Sequence, residues 1–300
     1  MATHFSLKQL KVFTTLVRCK TLTQASEALF LSKAAVSMTI SELEKQIGHA
    51  LFDRINNRLV LNQEGQKLLP LADEILLRTE QIGSLFTGSQ TLAGQLRIGA
   101  SDTIGNQIAP ELLSGFRSAY QHKSQSLMIS NTAQICQKLI AYDLDIGLIE
   151  GVTQHKELLV SPFSQDEMCV ICPPAHSLAN QTLRDWHPLE NNDWVLREAG
   201  SGSREFFLKA LTQHLDQWQE TLQLNTTEAL INSVSSGLGL GCLSKLAARH
   251  ALADGRVAAI NLPIEMKRTF SLVVHKEKYQ SALLKCFIEF CQQSPQANLG

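Results

Sequence analysis

Hydroxyl and amide residues fall in four short groups, each just ahead of a helix-like segment: Ser101-Asp-Thr103, Asn131-Thr132, Ser201-Gly202-Ser203-Arg204 and Thr226-Thr227. Beside free N–H groups and the positive end of a helix dipole, such side chains suit a small anion. Arg204 adds a guanidinium able to fork onto an oxyanion. For any one group the plain alternative is helix capping. Asp102 opposes an anion unless its carboxylate points away. Catalytic patterns fail on inspection. Gly237-Leu-Gly239-Leu-Gly241-Cys242 lacks the sixth-position glycine of a dinucleotide loop and lies between a helix and the next strand, the reverse of the required order. Gly200-Ser-Gly-Ser203 is not a nucleophile elbow, and no histidine is placed by sequence to activate it. Cys169-Val-Ile-Cys172 sits in an apolar, strand-like run whose i and i+3 positions face opposite ways, and no second pair completes a zinc site. The expectation is a binding protein: no enzyme, no metal and no cofactor.

A second constellation suits nucleic acid. Residues 21–62 read as two short helices, a tight connection and a basic hairpin. Ser6-x-x-Gln9 and Thr21-x-x-Gln24 are capping-box patterns that open helices one and two. Leu7, Leu10, Phe13, Leu16 and Val17 form the inner face of the first; Ala25, Ala28 and Leu29 form that of the second. Ser32 caps a third helix with Val36, Ile40, Leu43 and Ile47 inward, and Gly48 stops it. The outward face carries Ser32, Lys33, Ser37, Met38, Thr39 and Ser41, short enough to approach base edges and phosphates. Asn56-Asn57 is good hairpin chemistry, with Arg54 and Arg58 beside it. Charge is split accordingly. Through Asn62 the formal charge is +4 and over the remainder −5, although the whole chain is near neutral at −1.

These residues resemble the winged helix-turn-helix of the LysR-type transcriptional regulators, and the likeness runs through the whole chain. The family's third helix opens with a Ser-polar-small-small-Val-Ser run, here Ser32-Lys33-Ala34-Ala35-Val36-Ser37. Lys33 stands where the family usually has glutamine, so base preference does not carry over there. Leu51-Phe52-x-Arg54 matches the entry to the wing. The resemblance adds Thr23, Ala34 and Asn57 to the DNA-binding set. It also divides the chain into a DNA-binding domain at 1–62, a linker helix at 63–91 and an effector domain at 92–300, with lobe I at 92–161 and 267–300 and lobe II at 162–266.

Residues 63–90 continue a seven-residue apolar period, Leu61, Leu68, Ile75 and Ile82, with Leu71 and Leu85 three residues after two of them, as in a coiled-coil seam. Pro70 should kink or weaken that helix. In the family this helix makes the dimer, with Leu68, Ile75 and Ile82 at the contact; the plain alternative is packing on the body of the same chain. From Gln95 onward strands alternate with helices, which implies α/β lobes built on parallel sheets. Strands are expected near 95–100, 127–130, 144–149, 168–171, 193–196, 239–243 and 268–275. Helices are expected near 107–120, 133–141, 203–218, 228–235, 244–253 and 280–292, with crossings at Ser161-Pro162 and Pro263. The resemblance implies a two-lobed fold like the periplasmic binding proteins, with the effector at Ser101, Thr103, Asn131, Thr132 and Ser201–Arg204. The segments ASDTIGN, Ile149-Glu-Gly151 and TTEALINSVSSGLGLGCLS resemble a subgroup of sulfur-assimilation regulators, which implies an oxyanion such as sulfite or sulfate.

The implied partners are promoter DNA, a small effector, RNA polymerase and further copies of the chain, as a homodimer or homotetramer. The seven scattered cysteines argue against a disulfide framework. No apolar run reaches the roughly 18 residues of a membrane span, so a cytoplasmic protein is expected. The rival reading is a solute-binding sensor whose helical head only assembles oligomers; the donors at Ser32, Lys33, Ser37 and Arg54 weigh against it.

Overall fold

The computed structural model describes residues 5–55, 58–85, 92 and 94–294. The head consists of α1 (Leu7–Cys19), α2 (Leu22–Leu29), α3 (Lys33–Ile47) and a hairpin of β1 (Phe52–Ile55) and β2 (Arg58–Leu61). Its caps are those the sequence implies. Ser6 and Gln9 form a complete capping box, Thr21 and Ser32 accept from Gln24 N and Ala35 N, and Gly48 closes α3 at φ 84°. Leu10, Phe13, Leu16, Ala25, Val36, Ile40 and Leu43 are buried together. Leu7 and Ala28, expected inward, are exposed, and Ser26 is buried instead. Among the described residues nothing covers the first turn of α1 at Leu7 or the outer side of α2 at Ala28.

Helix α4 (Gln63–Leu85) contains Pro70 and has two faces. Leu69 and Ala72 are buried against the head, with Leu68 and Leu76 partly buried there. Leu71, Ile75 and Ile82 lie exposed on the other face, within about one 40° arc at roughly 100° per residue.

The body is organised around one nine-stranded sheet. On one side β3 (Leu96–Ser101), β4 (Gln125–Ser130) and β5 (Ile146–Glu150) are parallel; on the other, β7 (Asp193–Arg197), β8 (Gln219–Leu224) and β9 (Leu240–Ser244) are parallel. Two long strands join them. The fifteen-residue β6 (Leu158–Cys172) pairs over its first part with β11 (Lys267–His275), then with β9 and the short β10 (Ala258–Ile260). The register slips between Phe270 and Ser271, opposite Phe163, so Pro162 lies beside a bulge where a missing N–H is tolerated. The return crossing is made by β11, not at Pro263.

Helices α5 (Asp102–Gln107), α6 (Ala109–Tyr120), α7 (Thr132–Ile140), α8 (Gly202–Ala210), α9 (Thr227–Ser235), α10 (Lys245–Ala253) and α11 (Ala282–Gln293) cover the sheet. The single helix expected at 107–120 is preceded by a separate one, because Pro110 cannot donate within a continuing helix. The helix expected over 203–218 ends at Ala210. The Glu190 carboxylate accepts from the N–H groups of Asp216 and Gln217 at 2.9 and 2.7 Å, and Gln219–Leu224 alternates outward and inward as β8. Among the described residues no helix is long and apolar enough to cross a membrane.

Candidate DNA-reading face and effector pocket

Lys33, Ala34, Ser37, Met38 and Ser41 of α3 occupy one side of the helix, at roughly 100° per residue. All are exposed except Ser37, which is half-buried. Ser32 sits at their N-terminal edge as the cap. Thr39 lies beside the core face, half-buried, and its hydroxyl donates to Ala35 O at 2.8 Å, which leaves its acceptor side to face outward. Thr23 is exposed on α2, and Arg54 is exposed on β1 opposite Leu59. Asn56, Asn57 and the side chain of Arg58 fall outside the described residues, although Arg58 pairs with Ile55 through its backbone. Phe30, absent from the sequence-based set, is 95% exposed in the α2–α3 turn at φ 53°. Its signal was an aromatic residue placed just after a helix end, where the fold offers it no cover.

In the body, the helices that follow parallel strands turn their N-termini toward the seam between the lobes, where ligands of open α/β sheets bind. A cleft of 710 Å³ opens there, lined by Asp102, Asn106, Asn131, Arg197, Glu198 and Thr227 among others. The lobes touch across it. Thr227 N donates to Asp102 Oδ2 at 3.2 Å, and Arg197 Nη1 lies 3.3 Å from the same oxygen. Asn131 caps α7 and donates through Nδ2 to Glu198 Oε1 at 3.0 Å; Ala133 N donates to Gly200 O at 3.2 Å. Burial would raise the Glu198 carboxyl, but Arg197 and Asn131 outweigh it and hold it below its usual range. Asp102 does not point away from the cleft. It occupies the α9 N-terminus itself, as an internal anion.

Deeper in the seam is a buried polar knot centred on Arg268. Its Nε donates to Asp166 Oδ2 at 2.7 Å, Nη1 to Ser203 Oγ at 3.2 Å, and Nη2 to Thr103 Oγ1 at 3.3 Å and Glu150 Oε2 at 2.5 Å. Ser244 donates to the other Asp166 oxygen at 2.7 Å. Ser101 and Thr132 hold the backbone of Glu150, the first accepting from its N–H at 3.0 Å and the second donating to its carbonyl at 2.6 Å. Ser201 Oγ is buried with no hydrogen-bond partner among the described residues. Gly202 serves close packing: a Cβ there would lie 1.9 Å from Glu150 O.

Six of the eight effector residues expected from sequence therefore meet in or beside this knot: Ser101, Thr103, Thr132, Ser201, Gly202 and Ser203. Asn131 lies at the open cleft. Arg204 is a correction. Its guanidinium donates to Glu220 through two nitrogens at 2.7 Å and to Arg197 O, outside the knot. One helical position from Ser203 is about 100° of rotation, enough to turn Arg204 toward β8. Arg268 was missed because it follows Met266-Lys267 at a strand start, with no motif around it. The thiols of Cys169 and Cys172 are pushed up to about 12 and about 11, the first by burial and then by Asp166, the second by burial. Such thiols are poor nucleophiles and ligands.

Residues 7–66 match the bacterial regulatory helix-turn-helix protein, lysR family, and residues 89–296 match the LysR substrate binding domain. The chain is 35% identical over 289 residues to the uncharacterized HTH-type transcriptional regulator YeiE of Escherichia coli K12, covering 96% of this chain and 97% of that one. It is 31% identical over 294 residues to the HTH-type transcriptional regulator CysL of Bacillus subtilis, covering 92% and 98%. Full-length OxyR from Pseudomonas aeruginosa shares the fold at a TM-score of 0.71 and 20% identity, over 98% of this chain and 96% of that chain. With a helix-turn-helix head, a linker helix and a two-lobed body in that order, the chain belongs to the LysR family of transcriptional regulators.

Proposed function

We propose that the chain is a dimeric, ligand-responsive reader of promoter DNA whose signal is a small oxyanion held at the Arg268 knot. The observation that carries this reading is a buried guanidinium held by hydroxyls from both lobes, Thr103 and Ser203, with the unpartnered Ser201 hydroxyl two residues from Ser203. Charge narrows the ligand. Arg268 already faces two carboxylates, Glu150 and Asp166, so an added anion must displace one of them or enter with a proton. A protonated monoanion such as hydrogen sulfite therefore fits better than a dianion such as sulfate, since an uncompensated buried charge is costly. Exposed Leu71, Ile75 and Ile82, with Leu68 at the edge, supply the face on which α4 pairs with a second copy. Two heads held this way read the two halves of a pseudo-palindromic site. A dimer of such dimers would set promoter geometry for RNA polymerase.

Calorimetric titration with sodium sulfite and sodium sulfate tests the pocket. Ser203→Ala should weaken sulfite binding by about tenfold, the loss of one hydrogen bond to a charged group, and Arg204→Ala should leave it unchanged. Unaltered affinity in both Ser203→Ala and Ser201→Ala would remove the knot from the site. A footprint on DNA upstream of the protein's own gene tests the head. Two protected half-sites support it, whereas loss of all binding at moderate salt would leave only nonspecific attraction and favour the oligomerising sensor.

A further inference from the structure

Strand β11 begins in the pocket with Arg268 and ends at His275, and the chain immediately after it grips the linker helix. Lys278 is buried, with Nζ 2.6 Å from Asp73 Oδ2 on α4 and 2.8 Å from Asp145 Oδ1 just before β5. The other Asp73 oxygen takes Arg18 Nη2 of α1 at 3.2 Å and lies 3.7 Å from Arg97 Nη2 of β3. Arg97 in turn forks onto Asp145. Tyr142 is buried in the head's own core, and its hydroxyl lies 2.9 Å from His275 Nδ1. Arg78 of α4 stacks over the Tyr279 ring at 4.5 Å. The head is thus docked on lobe I through buried charge, with Asp73 shared between head, linker and body.

From Arg268 to His275 the extended strand covers about 23 Å at about 3.3 Å per residue. It is hydrogen-bonded to β6 from Lys267 to His275, with one register shift at Phe270/Ser271, and to β5 on the other side over Phe270–Val273, which stiffens its middle. We propose that β11 is a strut and Asp73 its joint, so that a change of partners at Arg268 is delivered as engagement or release of Lys278, and hence of Arg18 and the head. A buried ion pair suits a two-state joint, because a half-made pair leaves a desolvated charge uncompensated. The ligand-driven form of this device rests on the pocket reading above; the mechanical link does not.

Hydrogen–deuterium exchange of the full-length chain tests the link without any ligand. Glu150→Gln perturbs the pocket, Lys278→Met severs the joint, and the double variant carries both. Each single change should raise exchange across residues 68–80 of α4 by about tenfold, and the double variant should exchange no faster than Lys278→Met alone. Additive effects in the double variant, or a Glu150→Gln change confined to the cleft, would overturn the proposal. Should circular dichroism show Glu150→Gln unfolded, Ser203→Ala takes its place with the same outcomes. The sulfite titration described above decides the anion reading separately, so failure of one is not mistaken for failure of the other.

Discussion

The Arg268 guanidinium is fixed by Glu150, Asp166, Thr103 and Ser203, drawn from four separate elements. Arg268→Leu would leave two buried carboxylates facing each other without their cation. A loss of about 3–5 kcal/mol is expected, read as a lower urea midpoint; an unchanged midpoint would show that the knot contributes nothing to closure. His275 supplies a pH signature. Burial lowers its pKa below the free value, and its Nδ1 accepts from Glu277 N–H at 3.2 Å. The unfolded chain therefore takes up the proton first, and stability should fall as pH drops below about 6.5 until the folded imidazole also titrates. Urea midpoints at about pH 7.5 and about pH 5.5 should differ in that direction, and His275→Gln should shrink the difference. Hydroxyls such as Ser101, Thr103 and Ser203 were legible in the sequence because they stand at strand-to-helix turns. Arg268 was not. Its partners lie up to 165 residues away in the chain, and local pattern says nothing about such distances.

At the scale of elements, caps and apolar periods located α1, α2, α3 and the alternating strands and helices of the body, because these signals act within a few residues. Strand β8 and the division of α5 from α6 were set by one tertiary carboxylate and one proline, and periodicity averaged over both. Gly202 lies where α8 meets the end of β5, with no room for a side chain. Gly202→Ala should force α8 away from Glu150 and destabilise the body by more than 1–3 kcal/mol, about the cost of ordinary overpacking; a thermal midpoint within error of the parent would contradict that closeness. On α3, Ser37→Glu places a carboxylate among Lys33, Ala34 and Ser41 on the proposed reading face. Specific promoter affinity should fall at least about a hundredfold by charge repulsion at the groove, while sulfite affinity measured by calorimetry stays at the parent value. Retained promoter binding would mean another surface reads DNA.

For the molecule as a whole, the basic head and acidic body differ enough in charge for DNA to distinguish them. On the proposed reading, the exposed apolar stripe of α4 is the assembly face. Ile75→Asp should convert a dimer to a monomer in sedimentation at micromolar concentration, since one buried unpaired carboxylate per subunit outweighs the gain of a helix seam; a persistent dimer would move the interface to the body. The sequence disclosed this stripe through its seven-residue period but not its width. Leu68 turned out to share itself with the head, and the packing of a third body against a helix leaves no mark on a period. The shared strands β6 and β11 carry a different consequence, one of descent. An exchange of lobe II alone between two related genes would cut β6 inside its ladder and leave β11 facing a strand that is part native and part foreign. Point substitution along the seam leaves that ladder whole, so it is the less disruptive route to a new ligand preference in such a scaffold.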